Sequence, residues 1–393
     1  MNKTPAMELQ SRCRKLQQGM AAAGMDAALL VQNADLFYFT GTVQQGFLYL
    51  PAEGEAVFFA RKVLDRVREE SALERIAPAR SPRDVAKLLA DFNLRPPRRL
   101  GMELDLLPYN QYLRYQQAFD TAALVDVSPL IRSVRSVKSE YELEIIRDVG
   151  KLSDFMVQTT RRNLTEGMSE VELAALVEAA ARVAGHMGFL RSRAFNQENY
   201  WGHLLSGPSA ARSTYADSPT GGTGLSLAFP QGAGYRPIKR NEPVVFDLVA
   251  GKNGYIVDQT RILSIGPLPP KLDFAYKVAV EIMQTLSGMI APGVRAGDLY
   301  ARAQAIAEAS GLDAFFMGHR EKAGFCGHGV GLELDELPVI IPGSTVELVP
   351  GNVFALEPKF TFPGEGVVGV EDTFLVTAGG CERITGASYE VEV

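Results

Sequence analysis

Cysteine is scarce in this 393-residue chain. Cys13, Cys326 and Cys381 are few, odd in number and far apart, which argues against a disulfide framework and fits a reducing compartment. No apolar run is long enough to span a bilayer, and the opening MNKTPAMELQSRCRK is too polar for a signal peptide. The expected location is therefore the cytoplasm, with no membrane partner. A basic excess is also missing. The 40 Lys and Arg are outweighed by 46 Asp and Glu, giving a net charge of −6 without a long basic run, which argues against nucleic acid as a partner. What is present, 46% hydrophobic residues over a length greater than most single cores, describes a globular protein of two domains.

Met7 to Met25 reads as an amphipathic helix stopped at Gly24. Asp26 to Val31 and Leu36 to Phe39 read as buried strands, and Phe47 to Leu50 pairs with Ala56 to Ala60 around a turn. Helices near Val63 to Glu74 and Pro82 to Phe92, and strands at Arg99 to Met102 and Ala123 to Val125, complete an α/β amino-terminal domain over residues 1–131. Past the linking stretch IRSVRSVK, capping boxes at Ser139/Glu142 and Ser169/Glu172 open two helices of a second domain, residues 139–393. A long Ser-, Gly- and Thr-rich loop, SGPSAARSTYADSPTGGTG, follows, of the kind that is functional or mobile. Gly167-Met168 with Leu173 and Ala174 matches Gly293-Val294 with Leu299 and Ala301. This weak internal repeat suggests two similar halves of one domain.

Each half carries an acidic hairpin. In EPVVFDLVAGKNGYIVDQTR, a turn centred on Lys252 and Asn253 sets Asp247 opposite Asp258, roughly 5 Å apart. Two facing carboxylates repel unless one keeps its proton or a cation sits between them. In the second half, VFALE and VVGVEDTFLVT flank PGEG, so that Glu357 faces Glu371 across a turn near Gly364. Between the hairpins, His328 lies in GHGVG, where the backbone can approach a ligand closely. Four carboxylates and an imidazole suit a pair of divalent cations, Mn, Co, Fe or Zn, which activate a water at neutral pH and polarise a carbonyl.

DLVAGKNGYIVDQTR, GHGVGLELDELP, LEP and VEDTFLVT resemble, in order, the metal-site motifs of the pita-bread metallopeptidases, the family of methionine aminopeptidase, aminopeptidase P, prolidase and creatinase. YFTGT at 38–42 resembles the creatinase-type amino-terminal domain, so the resemblance covers nearly the whole chain. It implies an α/β amino-terminal domain followed by an α+β pita-bread catalytic domain. Two divalent ions are implied, with Asp247 on one, His328 and Glu357 on the other, and Asp258 and Glu371 bridging; Glu357 would also act as the acid/base. A homodimer is implied as well. Creatinase-like members lack this metal set, which argues against creatine hydrolysis.

The sequence departs from the family pattern at the substrate side. Thr214 stands where a histidine follows the SGPxAA loop, and Asp335 stands at a second histidine position that helps stabilise the oxyanion. An aspartate cannot donate there unless protonated, which removes or reverses the role of Asp335, although a place in the cleft is still expected of it. No arginine lies between His328 and Glu357 to hold a proline carboxylate, and Lys359 replaces the usual glycine after Glu357-Pro358, offering an alternative cation. The expected function is hydrolysis of a dipeptide or small amide, as by an Xaa-Pro dipeptidase or aminopeptidase. The rivals are a dinuclear enzyme of the same fold with other chemistry, a lyase or a different hydrolase, and a relative that binds metal without turnover.

Overall fold

A computed structural model describes residues 3–196, 198 and 200–393. The chain forms two compact units, one running to Arg135 and including Arg193–Asn196, the other taking the rest of the chain from Ser136.

The first unit is built on a six-stranded sheet. Its spatial order is Ile76–Pro78, Val57–Ala60, Gly46–Pro51, Ala27–Leu30, Arg99–Met102 and Ala123–Asp126, with antiparallel pairing in the middle and parallel pairing towards both edges. Helix Ala6–Ala22 precedes the first strand, and Pro82–Leu88 and Tyr109–Ala118 are among the helices in the connections. The expected strand at Leu36 to Phe39 is instead part of the helix Asn33–Thr40. A short apolar run fits a buried helix as well as a buried strand, and here the ends decide. The Gln32 side chain accepts from the Asp35 N–H at one end, and Gly41, at φ +78°, closes the other.

In the second unit both capping boxes form, opening the helices Glu140–Asn163 and Glu170–Val183. Pro270–Met289 and Ala296–Ala309 make a second helix pair. The repeat is visible in the backbone. Gly167 (φ +88°) donates to the Ile238 carbonyl and Gly293 (φ +85°) to that of Leu348; in return Ile238 donates to Met168 and Leu348 to Val294. Asp247 and Glu357 follow these two clasps at the same sequence distance.

One sheet pairs Gly202–Ser206, Val244–Leu248 and Thr260–Leu263; a five-stranded sheet contains Gly327–Gly329, Val353–Leu356 and Asp372–Thr377. Thr260 and Glu371 exchange backbone hydrogen bonds of 3.3 and 3.1 Å, stitching the two sheets together beside the acidic residues. The long loop is tied down at its base. Buried Glu170 accepts hydrogen bonds from Ser206, Ser209 and the Gly234 N–H. The three cysteines are unpaired.

Candidate metal centre

The first hairpin turns one step later than expected. Asn253 and Gly254, at φ +53° and +91°, occupy its centre, as a tight two-residue turn with both positions left-handed requires. This moves the register, so that Asp247 lies opposite Thr260 and Asp258 becomes a diagonal neighbour on the same face. In the second hairpin Lys359 pairs with Gly369 and Leu356 with Asp372, so Glu357 and Glu371 face each other as expected. His328 comes from a strand squeezed between two others. A Cβ at Gly327 would lie 2.4 Å from the Ala355 carbonyl oxygen, and one at Gly329 the same distance from that of Leu337.

These elements bring Asp247, Asp258, His328, Glu357 and Glu371 to one buried place, in two groups. In the first, His328 Nε2 lies 3.9 Å from Asp258 Oδ2, 3.8 Å from Glu357 Oε1 and 3.9 Å from Glu371 Oε1. Donors bound at about 2.0–2.2 Å to a common ion stand about 3–4 Å apart; Asp258, His328 and Glu371 each offer an atom within 4.8 Å of the others, and Glu357 adds an oxygen beside His328. Glu371 Oε1 is buried with no hydrogen-bond partner, as an oxygen facing an ion site would be. The Nδ1 of His328 faces the Gly329 carbonyl at 3.2 Å, which fixes the tautomer and leaves Nε2 for a metal.

The second group surrounds Lys359. Its ammonium, on a side chain 2% exposed, donates to Glu357 Oε2 (2.8 Å), Glu371 Oε2 (3.0 Å) and Asp247 Oδ2 (3.3 Å). The expected second ion thus meets an ammonium already on its oxygens. Asp258 turns Oδ2 towards His328 Nε2, while its Oδ1 accepts from the Gln259 N–H at 2.9 Å.

The charges answer one another. Burial would depress the Lys359 pKa, but Asp247, Glu357 and Glu371 carry it well above the ordinary lysine value. Burial also raises Asp247, yet Lys359, His203 and hydrogen bonds from Thr260 and Thr220 outweigh it and hold this carboxyl below its usual range. Asp258 is pushed up to about 7 by burial and then by Asp247, and Glu371 well above the carboxylate range by burial and Asp258. Thr260 Oγ1 sits 2.8 Å from Asp247 Oδ1 and 2.7 Å from Glu371 Oε2. A hydroxyl has one hydrogen and cannot serve two anions, so a proton on Glu371 suits both contacts. Burial acts downward on His328, but Asp335, Glu357 and Asp258 raise it.

Asp335 lies 3.6 Å from His328 Nδ1, behind the imidazole, with its side chain 47% exposed. It is therefore removed from the nitrogen that faces the carboxylates, and is placed to orient the ring. Thr214 accepts from the Ala216 N–H within its own loop. The imidazole nearest the acidic group on this side is His203, which sequence reasoning missed. It pairs directly with Asp247 across the sheet, and its Nδ1 lies 2.8 Å from Thr220 Oγ1, which donates to Asp247 Oδ2 at 2.9 Å. Burial keeps this imidazole below its usual pKa, and so neutral. Its only sequence signal is adjacency to the SGP loop.

Behind the acids, buried Arg261 donates to the carbonyls of Thr260, Glu371 and Ala387 and pairs with Asp372 at 2.6 Å. Glu336, next to Asp335, accepts from the Leu332 N–H and pairs with Lys138, bracing the turn after His328.

Residues 144–378 match the model of metallopeptidase family M24, well over half of the chain. The chain belongs to this family. Residues 12–137 match the creatinase/prolidase N-terminal domain, completing the M24 arrangement of an amino-terminal domain ahead of a pita-bread catalytic domain. Among the similar M24 proteins is an Xaa-Pro dipeptidase of Pyrococcus furiosus, 27% identical, matched over 98% of this chain and 100% of that protein. The solved prolidase of Pyrococcus horikoshii is 25% identical with a TM-score of 0.81, covering 97% of this chain and 99% of that one. An Xaa-Pro dipeptidase from Bacillus anthracis, 23% identical with a TM-score of 0.83 over 98% and 100% of the two chains, shares the fold. M24 membership makes the chain a divalent-metal peptidase by family, and the His328 group supplies donors suited to such an ion.

Proposed function

We propose that this protein is a metal-dependent hydrolase of an Xaa-Pro dipeptide or a closely related small amide. The observation that carries the reading is the convergence of His328 Nε2 with oxygens of Asp258, Glu357 and Glu371 at 3.8–3.9 Å. Relatives spanning nearly the whole chain are named Xaa-Pro dipeptidases, which supports the substrate class.

Asp258, His328, Glu357 and Glu371 would hold the ion. When bound, the ion supplies Lewis acidity and a more acidic water. Glu357 is proposed as the acid/base. One of its oxygens faces the ion site and the other is anchored on Lys359, so the carboxylate cannot swing away from a proton it must exchange. Asp335 is proposed as a positioning residue acting through His328. His203, neutral and on the Asp247 side, is proposed to face the substrate in place of the missing loop histidine. A homodimer, a cytoplasmic location and an ion drawn from Mn, Co, Fe or Zn belong to the same proposal, on the family resemblance.

The test is to load chelator-treated protein with each ion and assay a panel of Xaa-Pro dipeptides. Ion-dependent cleavage is expected; no cleavage of any member by ion-loaded protein would overturn the substrate assignment. A second reading, non-peptidase chemistry on the same fold, is favoured by Thr214 and Asp335 at the two histidine positions, and turnover of non-peptide amides in the same assay would support it.

A further inference from the structure

Building on the metal-dependent reading of the site, we propose that Lys359 is a built-in cation standing in place of a second metal ion, so that this chain works with a single divalent ion held by Asp258, His328, Glu357 and Glu371.

The ammonium is complete as it stands. It has three N–H donors and three carboxylate acceptors, at 2.8, 3.0 and 3.3 Å, so each hydrogen has an acceptor and the charge is met from three sides. Glu357 and Glu371 divide their oxygens in the same way. Each turns Oε1 towards His328 and Oε2 towards Lys359, serving one ion site and one ammonium at once.

Asp247, which would be a ligand in a two-ion site, is engaged elsewhere on both oxygens. Thr260 donates to its Oδ1, while Thr220 and Lys359 donate to its Oδ2. A second ion would have to displace the ammonium from three oxygens and break the Thr220 hydrogen bond. The lysine stem is also seated. Gly369 lies directly opposite, and a Cβ there would approach Lys359 Cγ to 2.6 Å, so the strand partner lacks a side chain where the stem passes.

The ammonium also places one positive charge among Asp247, Glu357 and Glu371. Unlike a metal, the ammonium does not exchange and offers no open coordination position. It therefore orients Glu357 and Glu371 and neutralises charge, while a water has only one ion to bind.

The experiment counts ions. Full-length protein is stripped with chelator, incubated with excess Mn(II), desalted and analysed by inductively coupled plasma mass spectrometry. The wild type is expected to retain about one ion per chain and folded Lys359→Gly about two, because removing the ammonium frees three oxygens. Two ions on the wild type, or one on folded Lys359→Gly, overturns the inference and leaves the metal-dependent reading standing. No ion on the wild type removes both. Should Lys359→Gly fail to fold, Asp247→Asn decides: it keeps the same ion count as the wild type if Asp247 serves Lys359, and loses one ion if Asp247 is a ligand.

Discussion

Lys359 and Gly369 are directly opposed across a two-stranded ladder, and the lysine stem fills the space that a side chain on Gly369 would need. A Cβ at Gly369 would also lie 2.6 Å from the Pro358 carbonyl oxygen, a backbone atom that cannot yield cheaply. Gly369→Ala is therefore expected to destabilise the protein by about 2 kcal/mol through overpacking, read as a lower denaturant midpoint with an unchanged slope. An unchanged midpoint would show that the ladder relaxes around the added methyl.

Metal uptake should depend on pH with a definite sign. Asp258 is raised to about 7, so between the ordinary carboxylate range and that value the folded metal-free chain holds a proton that the unfolded chain has lost. Stability of the metal-free protein gained in this way is present at low pH and fades as pH rises through about 7; Glu371, also raised, acts with the same sign. An ion takes the place of these protons, so binding tightens over the same interval. Thermal scans with and without Mn(II) should show a larger ion-induced rise in Tm at pH 8 than at pH 6. Equal rises would mean that no carboxyl of the site releases a proton on binding.

Asp258→Asn removes one of the oxygens facing His328 Nε2 while keeping the shape. Its expected effect is a fall of at least 10-fold in ion affinity and loss of peptidase activity. Full activity at ordinary metal concentrations would place the ion elsewhere.

His203→Gln keeps a polar group beside Thr220 and Asp247 but removes the imidazole. The expected result is a drop of about 10²-fold in kcat/KM with the metal content intact. A variant with wild-type kinetics would limit His203 to a structural hydrogen bond.

Arg261 holds the carbonyls of Thr260 and Glu371, the two residues that stitch the sheets. Arg261→Met leaves buried Asp372 without its closest cation and is expected to cost about 3–5 kcal/mol, measured by chemical denaturation. A loss below 1 kcal/mol would mean that Arg383, 3.8 Å from Asp372, takes over the charge.

Much of this architecture is written locally and can be read. Ser139 with Glu142 and Ser169 with Glu172 announce helices because a capping box needs only residues three apart. The second hairpin is readable because its turn leaves one register that brings Glu357 to Glu371. The first turns one step later than the expected Lys252-Asn253 centre, since Asn253-Gly254 supplies the two positive φ values. Leu36 to Phe39 reads equally as strand or helix because apolar content without periodicity does not choose between them. His203 is not legible in the sequence because its strand, Gly202–Ser206, has no β-branched residue to mark it. The sequence pointed to Lys359 as a cation, but not to the carboxylates it contacts. That depends on Asp247, more than a hundred positions away, and on the space over Gly369.

The paired clasps at Ile238 and Leu348 have a further consequence. A duplicated backbone alone would present an incoming molecule with two equivalent flanks. Counted from those clasps, however, the counterpart of Lys359 is Val249, a buried apolar side chain. The correspondence is therefore broken at this pair of positions, and the acids are flanked by a fixed positive charge from the second half and an apolar side chain from the first.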